Sequence, residues 1–459
     1  MRRLFFIPLL LAGSGAAALD LPAQPGTVWR QPEAPPSAEP AVAADAVRFA
    51  SLAALTEHAL RARPESRAAW LAIQAEAARL DEAEAARWPT LTGQLSFTQS
   101  RALSSSGATA PTLHRYGPSL GLAWLIHDFG ARAAGIEAQR YQLIARLLDN
   151  NRVLQDVIAE VETAVFALTA ARARADADAE QASALRASLD AVTMRLRGGL
   201  ASRADELRAR AALAEAQRAR QMAERDRDKA EAALKLAAGL SPLQALTLDW
   251  VAAPPPVAET PAVLADLLVE AERQRPDLLA LRAAADAARH DAAHARAARW
   301  PSLSLSANAG RTFFLEDDRT PSSTYSIGVN VAVPLFDGGR LRAAERAAAR
   351  DAARLEAEAD AERVRVARDV VEAYHDTRYV QSERELIAAQ FDSASESARA
   401  AEARYGAGVG SLLELLTAQA DLARARQARA QADSDWLAAF SRLNHALGRL
   451  PGALPEGQP

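Results

Sequence analysis

An internal duplication constrains the fold of this 459-residue sequence more than any other feature. The segment Arg87-Trp88-Pro89 recurs 212 residues later as Arg299-Trp300-Pro301. Farther along, the offset is 209 residues, and the matching pairs include Asp128 and Asp337, Gly130 and Gly339, Arg195 and Arg404, Gly199 and Gly408, and Ser202 and Ser411. We therefore predict two copies of one structural unit, over residues 51–250 and 263–451, joined by a proline-rich linker over 251–262.

The two ends of the chain carry their own patterns. Met1 to Arg3 precede an apolar run over residues 4–12 and then small residues, which predicts a secretory signal peptide over 1–18. Residues 19–50 are rich in proline and alanine and predict an extended tail, and 452–459 form a short C-terminal tail. We therefore expect an exported protein.

Composition argues against several classes of protein. The formal net charge of −4 lacks the basic excess of a nucleic-acid-binding protein. The sequence contains no cysteine, so we expect no thiol catalysis, no disulfide and no lipid anchor on a cysteine. Large apolar residues are scarce and alanine is abundant, which favours long, closely packed helices over a thick globular core.

Each copy has the same predicted order of elements. A helical segment ends at the Arg-Trp-Pro motif, two alternating strands follow, and a long helix then leads through a glycine-containing turn to a returning helix. The predicted strands are 90–99, 117–126, 302–311 and 323–335, and the long helices are 131–196 and 338–404. In the long helices, the apolar seams expected of a coiled coil run through Leu147, Asn151, Leu154, Ile158, Val161, Val165 and Leu168, and through Val364, Ala367, Val371 and Tyr374.

The four strands admit two interpretations. Each predicted strand has about ten residues with alternating apolar and polar side chains, which is the length and pattern of a membrane-spanning barrel strand. Trp88, Trp124 and Trp300 lie at positions where an aromatic belt at the membrane interface is expected. Four strands cannot close a barrel, and an open sheet edge in lipid is prohibitive, so several chains would have to share one barrel. A soluble protein with two hairpins packed on helices is the alternative.

Two segments of the second copy carry a resemblance to a known family. Val333–Arg340 (VPLFDGGR) resembles the strand-to-helix junction of TolC-type outer membrane channels. Arg404–Ser411 (RYGAGVGS) with the following LLELL resembles their helix–turn–helix tip, and Arg195–Leu207 is a weaker copy of it. The resemblance covers about residues 51–451. It implies a mainly α fold with β-strands: four membrane strands per chain, a 12-stranded barrel shared by a homotrimer, and long coiled-coil helices that form a periplasmic α-barrel.

The resemblance also implies a function. Such proteins are channels of the Gram-negative outer membrane that work with a periplasmic adaptor (membrane fusion protein) and an inner-membrane transporter, either ABC-type or proton-driven. We therefore expect no enzyme activity and no cofactor. Because the sequence contains no cysteine, we expect this chain not to be lipidated. The missing lipid-anchor cysteine favours type I protein secretion over multidrug or small-molecule efflux. A soluble periplasmic coiled-coil scaffold or adaptor is the alternative of another class.

The tips carry the candidate site residues. The resemblance implies that carboxylates just past the tip turns ring the periplasmic entrance, which places gate candidates at Asp205 and Glu414, with Tyr405 beside them. The adaptor-docking candidates are Arg195, Gly199, Ser202, Arg404, Gly408 and Ser411. Helix capping and turn geometry explain the same residue types without a gate. Two positions depart from the family, since Gly410 replaces an arginine and Thr417 a second acidic residue.

One further pair of residues suggests a metal site only weakly. His290 and His294 are four residues apart and could share a helix face, as metal ligands do. The sequence offers no nearby third ligand, and we expect no metal there. A peripheral enzyme that uses this pair is the least favoured interpretation.

Overall fold

A computed structural model describes residues 46–101, 112–250, 263–315 and 319–449. The predicted signal peptide, the linker over 251–262 and the tail over 452–459 lie outside the described residues, and so do residues 19–45 of the predicted N-terminal tail. The division into these segments therefore stays a prediction.

The mainly α-helical fold with β-strands is confirmed, and the same order of elements occurs twice. The first copy contains β1 (Val47–Phe49), α1 (Leu52–Ala62), α2 (Pro64–Ala85), β2 (Thr90–Ser100), β3 (Leu113–His127), α3 (Ala131–Arg197), α4 (Arg203–Ala237) and β4 (Leu246–Leu248). The second contains α5 (Leu264–Gln274), α6 (Pro276–Ala297), β5 (Ser302–Phe314), β6 (Ser322–Ala332), α7 (Arg340–Gly406) and α8 (Leu412–Leu447). Each of α3 and α7 has 67 residues and extends for about 100 Å.

The turns from strand to long helix are built by an aspartate and a glycine. In the second copy the Asp337 carboxylate accepts hydrogen bonds from the amides of Gly339 (2.9 Å) and Leu341 (2.7 Å), which satisfies free N–H groups at the start of α7. Gly339 has φ 86°, a left-handed conformation that glycine adopts without steric cost. Asp128 and Gly130 build the same turn before α3.

The larger sheet is antiparallel, with the strand order β2-β3-β5-β6. The register places apolar side chains on one face, among them Leu91, Leu95, Phe97, Leu120, Leu122, Trp124, Leu303, Leu305, Tyr325, Ile327, Val329 and Val331. The opposite face carries small polar side chains and glycines, among them Gln94, Ser96, Thr98, Ser119, Ser304, Ser306, Asn308, Thr324, Ser326 and Asn330. The sheet is therefore two-sided, with one apolar face and one polar face.

Three strand boundaries differ from the sequence prediction by three or more residues, and one of them is the end of β5, which lies at Phe314 rather than at residue 311. β6 ends at Ala332 rather than at residue 335, because its partner β5 starts at Ser302, which lies opposite Ala332. β3 begins at Leu113 rather than at residue 117, since it continues to pair with β2 beyond Pro118. The predicted strand begins at Gly117 and Pro118, which break the alternating pattern. In the structure, pairing with β2 extends the strand beyond these two residues.

The main apolar core lies where α1, β1 and β4 pack on the middle of α3 and the end of α4. β1 pairs in parallel with β4, and Phe49 is buried in this core. The tail predicted over residues 19–50 is therefore wrong at its C-terminal end, because 47–49 form a strand. The equivalent core of the second copy contains Leu267, Leu278, Val366, Val370 and Leu447.

The seams predicted along the long helices are only partly buried in each copy. In α3, Val161, Val165 and Leu168 are buried as predicted, although Leu147, nearer the sheet, is exposed. In α7 the buried line contains Val366, Val370, Thr377 and Val380, whereas the predicted Val364 is 65% exposed. An alanine-rich helix has several faces of similar hydrophobicity. The buried face of α7 was not recognised because it includes the polar residue Thr377.

An arginine closes the junction in each copy at equivalent positions, buried in the second copy (Arg275) and half-buried in the first (Arg63). Arg275 precedes the proline that starts α6, and its guanidinium lies 2.6 Å from Asp277 and 3.4 Å from Asp369 of α7. It also donates to the carbonyl oxygen of Ala446 in α8. The corresponding contacts of Arg63 are with Glu65, Glu160 of α3 and the carbonyl oxygen of Ala237 in α4. Each arginine therefore joins a short helix to both long helices of its copy.

Within the described ranges, no helix contains a stretch apolar and long enough to cross a bilayer.

Candidate functional site at the helical tips

The tip of the first copy is a five-residue connection from α3 to α4. Gly199 has φ 72°, and the Leu200 amide donates to the carbonyl oxygen of Arg195 (2.8 Å), the geometry of a Schellman turn. Ser202 then caps α4, since its hydroxyl accepts from the Asp205 amide while the Asp205 carboxylate accepts from the Ser202 amide and hydroxyl. These bonds from Ser202 hold the pKa of Asp205 below its ordinary value, so this carboxylate is charged at neutral pH.

The tip of the second copy has the same backbone and a different side-chain pairing. Gly408 has φ 78°, and the Val409 amide donates to the carbonyl oxygen of Arg404 (3.0 Å). Ser411 caps α8 by accepting from the Glu414 amide (3.1 Å). The Glu414 carboxylate, however, forms an ion pair with the Arg404 guanidinium at 2.7 Å. The predicted serine caps and left-handed glycines are therefore confirmed in both tips.

The two tips pack on each other. Leu412 and Leu415 of α8 are buried against Val192 of α3 and Ala209 of α4. This small cluster is apolar, and farther from the tips α3 and α8 share both polar contacts and apolar ones, such as Leu437 of α8 in the main core. The polar contacts join Gln419 to Ser188, Gln427 to Asp178, Ser434 to the carbonyl of Phe166, and Ser441 to Glu162.

Arg195 ties the first tip to the second. Its Nη2 donates to the carbonyl oxygens of Tyr405 (3.0 Å) and Gly406 (3.3 Å) at the end of α7. Its guanidinium carbon lies 4.3 Å from the centre of the Tyr405 ring, within the range of a cation–π contact. Arg195 therefore satisfies carbonyl groups that a helix end leaves free and holds Tyr405 against the first copy.

The structure brings all the sequence-predicted tip residues together. Gly199, Ser202, Gly408 and Ser411 form the two turns, and Arg195 and Tyr405 bridge them. The two gate carboxylates have different partners, because Asp205 is bound within its own helix cap and Glu414 to Arg404. Asp205 and Glu414 thus both take part in the caps of their helices. A gate role for these two carboxylates stays a prediction.

Sequence reasoning missed two residues of the tips. Leu200 and Val409 follow the left-handed glycines of the two turns, and their side chains are 82% and 72% exposed. In a Schellman turn this position commonly packs back on the helix, so two apolar side chains that face solvent instead are unusual. The signal was available, since Leu200 and Val409 are also 209 residues apart and are the one large apolar residue in each turn of small residues.

The histidine pair is engaged in packing. The His290 ring stacks on Tyr141 with centroids 5.2 Å apart, and His294 Nδ1 lies 2.7 Å from the carbonyl oxygen of Ala131. No group of three or more potential metal ligands occurs in the parts of the chain that the structure describes.

The fold is duplicated, and it joins a sheet with one apolar and one polar face to paired long helices whose tips pack together. These features are typical of a tunnel-forming channel. The family described as outer membrane efflux protein matches residues 55–240 and 267–449, and the chain belongs to this family. It is therefore a channel of the outer membrane rather than an enzyme. Channels of this kind form homotrimers and work with a periplasmic adaptor and an inner-membrane pump in secretion and efflux. The resemblance to TolC-type channels is confirmed.

Three curated proteins illustrate the range of the family. The chain is 30% identical to Protein CyaE of Bordetella pertussis over 451 residues, which cover 96% of this chain and 91% of that protein. It is 30% identical to the alkaline protease secretion protein AprF of Pseudomonas aeruginosa, over 39% of this chain and 38% of that protein. It is 33% identical to the pyoverdine export outer membrane protein OpmQ of the same species, over 41% and 40%.

Solved structures show the same fold. The outer membrane protein VceC of Vibrio cholerae superposes with a TM-score of 0.74 at 21% identity, covering 87% of this chain and 96% of that chain.

Proposed function

We propose that this channel exports protein, as the outer membrane part of a type I secretion system with an ABC-type pump. The polar face of the sheet carries the proposal. In a barrel whose apolar face meets lipid, the polar face lines the lumen mostly with Ser, Thr, Asn and Gln side chains and with glycines. The described strands contribute no aspartate or glutamate to this wall, so they offer no acidic site that would retain a hydrated polypeptide. The similarity to AprF, whose name records protease secretion, agrees with it.

Export of a small molecule is the second candidate. The similarity to OpmQ, whose name records pyoverdine export, has about the same extent as that to AprF. A polar, weakly interacting lumen also passes small solutes.

Deletion of the gene distinguishes the two candidates. We expect the deletion strain to lose one or a few large proteins from its culture supernatant, and to regain them when the wild-type chain is supplied. Mass spectrometry of the supernatant measures this. An unchanged set of secreted proteins, together with increased sensitivity to small toxic compounds, would assign the channel to efflux.

We also propose that Asp205 and Glu414 form the gate of the periplasmic entrance, with Tyr405 holding it closed. The two carboxylates occupy equivalent positions, and a trimer presents three copies of each. Carboxylates gathered at a constriction attract cations and repel anions. The Arg195 contact with Tyr405 and the ion pair of Glu414 with Arg404 hold the two tips in one arrangement.

Neutralising the gate carboxylates is expected to reduce the preference of the channel for cations. The variant Asp205→Asn with Glu414→Gln retains the size of both side chains, and asparagine still accepts the capping bond. We expect the cation-to-anion permeability ratio in planar bilayers to fall about twofold or more, because the attractive field at the constriction is lost. Reversal potentials under a KCl gradient measure this ratio.

A charge-matched control lies far from the tips. Asp81→Asn with Glu82→Gln removes the same number of charges from α2 and should leave the ratio unchanged. An equal change in both double variants, or in neither, would refute the gate.

We propose that the adaptor docks on the tips through Leu200 and Val409, framed by Arg195, Gly199, Ser202, Arg404, Gly408 and Ser411. The exposure of the two apolar side chains supports this, since an interface gains most from apolar groups that it removes from water. In a trimer, the three copies of Leu200 and the three copies of Val409 form a ring of exposed apolar side chains around the periplasmic end of the helices.

A further inference from the structure

The membrane sheet is unusual in its charge. The described strands β2, β3, β5 and β6 contain no aspartate or glutamate, and their two arginines are Arg115 and Arg311. The register places Arg115 on the polar face and Arg311 on the apolar face, which meets lipid in a closed barrel. Arg311 is the one arginine or lysine on the lipid-facing side of these strands.

Arg311 lies near the outer edge of the apolar band. The helices all leave the sheet at one end, where Leu303 pairs with Val331, so that end faces the periplasm. Arg311, eight residues farther along β5, pairs with Ser323. Eight residues extend about 26 Å along a strand, or about 20 Å across the membrane at the usual tilt, and the apolar band of such barrels is about 25 Å tall. The Arg311 backbone therefore lies about 5 Å inside the outer edge of the band, and its long side chain can extend to the headgroups of the outer leaflet.

The surroundings of Arg311 are aromatic. Its guanidinium carbon lies 5.3 Å from the centre of the Phe313 ring, and Phe313 stacks on Tyr116 with centroids 5.4 Å apart. In the described part of the chain, no carboxylate pairs with Arg311. The guanidinium thus lies against aromatic rings, and none of the carboxylates in the described ranges compensates its charge.

We propose that Arg311, with Phe313 and Tyr116, binds the phosphate of an anionic lipid in the outer leaflet. A guanidinium offers paired N–H donors that match phosphate oxygens, and an uncompensated cation at a lipid surface is costly unless an anion meets it. The aromatic rings would contact the sugar and the first acyl carbons of the same lipid, as interfacial aromatic residues do. Three such sites would surround the barrel of the trimer.

A lipid-binding measurement on the purified trimer tests this proposal. The probe is bisphosphorylated lipid A, compared with the same lipid after removal of both phosphates, each titrated into delipidated trimer and counted by native mass spectrometry. We expect the wild-type trimer to retain the phosphorylated lipid, and Arg311→Gln to bind it about tenfold or more weakly, since a charge-assisted contact is lost. Arg311→Lys should restore part of the binding.

Arg115→Gln is the matched control, because it removes an arginine from the same sheet on the opposite face. Arg115 donates to Ser100 Oγ (3.1 Å) on the luminal side and should not affect lipid binding. Equal binding of both lipids, equal loss in Arg311→Gln and Arg115→Gln, or displacement by millimolar inorganic phosphate would overturn the proposal. Single-channel conductance of Arg311→Gln, expected to be unchanged, separates this failure from a failure of the channel itself.

Discussion

Replacing Leu200 and Val409 together by aspartate should abolish export while the trimer still assembles. Both side chains are exposed in the free protomer, so the change costs little in folding. In the docked state each would place a charge in an apolar contact, and burial of such a side chain contributes about 1.5–3 kcal/mol. With three copies of each position, we expect co-purification with the adaptor to be lost and the exported protein to disappear from the supernatant.

Leu243→Asp provides the control for this prediction. Leu243 is 82% exposed, as Leu200 is, but it follows α4 at the other end from the tip. We expect it to leave export and adaptor binding at the wild-type level. If the tip variant exports normally, or if Leu243→Asp fails equally, the docking surface is wrongly placed.

Replacing Arg275 by methionine is expected to produce the largest loss of stability. Arg275 is buried and joins Asp277, Asp369 and the Ala446 carbonyl. Methionine fills similar space but removes the cation that compensates the two carboxylates, and removal of one partner from a buried ion pair costs about 3–5 kcal/mol. Thermal unfolding of the purified trimer, followed by circular dichroism, measures the loss. Arg273→Met, exposed and two residues away, should change stability by less than about 0.5 kcal/mol.

Because Arg275 pairs with Asp277, we expect the stability of the protein to depend on pH. Burial alone would raise the pKa of Asp277, but the hydrogen bond and charge of Arg275 lower it, and the result is a pKa below the ordinary value. A depressed pKa adds stability above the unfolded value, near pH 4, and this contribution is lost as the pH falls through the folded value. Wild-type protein should therefore lose more stability between pH 5 and pH 3 than Arg275→Met does. A similar loss in both would contradict the ion-pair account.

The parts of the structure fixed by local chemistry could be predicted from the sequence. Gly199 and Gly408 lie in left-handed turns, and Ser202 and Ser411 cap the returning helices, because short-range backbone requirements select these residues. The alternation along the strands likewise gave the two faces of the sheet, since successive side chains point to opposite sides.

Contacts between distant segments could not be predicted in the same way. The carboxylates of the long helices that pair with Arg63 and Arg275, Glu160 and Asp369, lie about one hundred residues farther along the chain, and no local sequence pattern predicts these pairs. The exposed state of Leu200 and Val409 also depends on how the tips pack. The buried line of α7 was displaced because alanine gives too little contrast between helix faces, and because Thr377 lies within it.

Cross-linking of strand edges tests most directly the central claim that three protomers close one barrel. β2 and β6 are the edges of the sheet, so closure places β6 of each protomer beside β2 of the next. The sequence has no cysteine, and Leu91→Cys can be combined in turn with Val329→Cys, Val331→Cys or Val333→Cys. We predict that oxidation in membranes yields covalent trimers for at least one pair and none for the single variants. Cross-links confined to monomers, or covalent dimers from Leu91→Cys alone, would contradict the account.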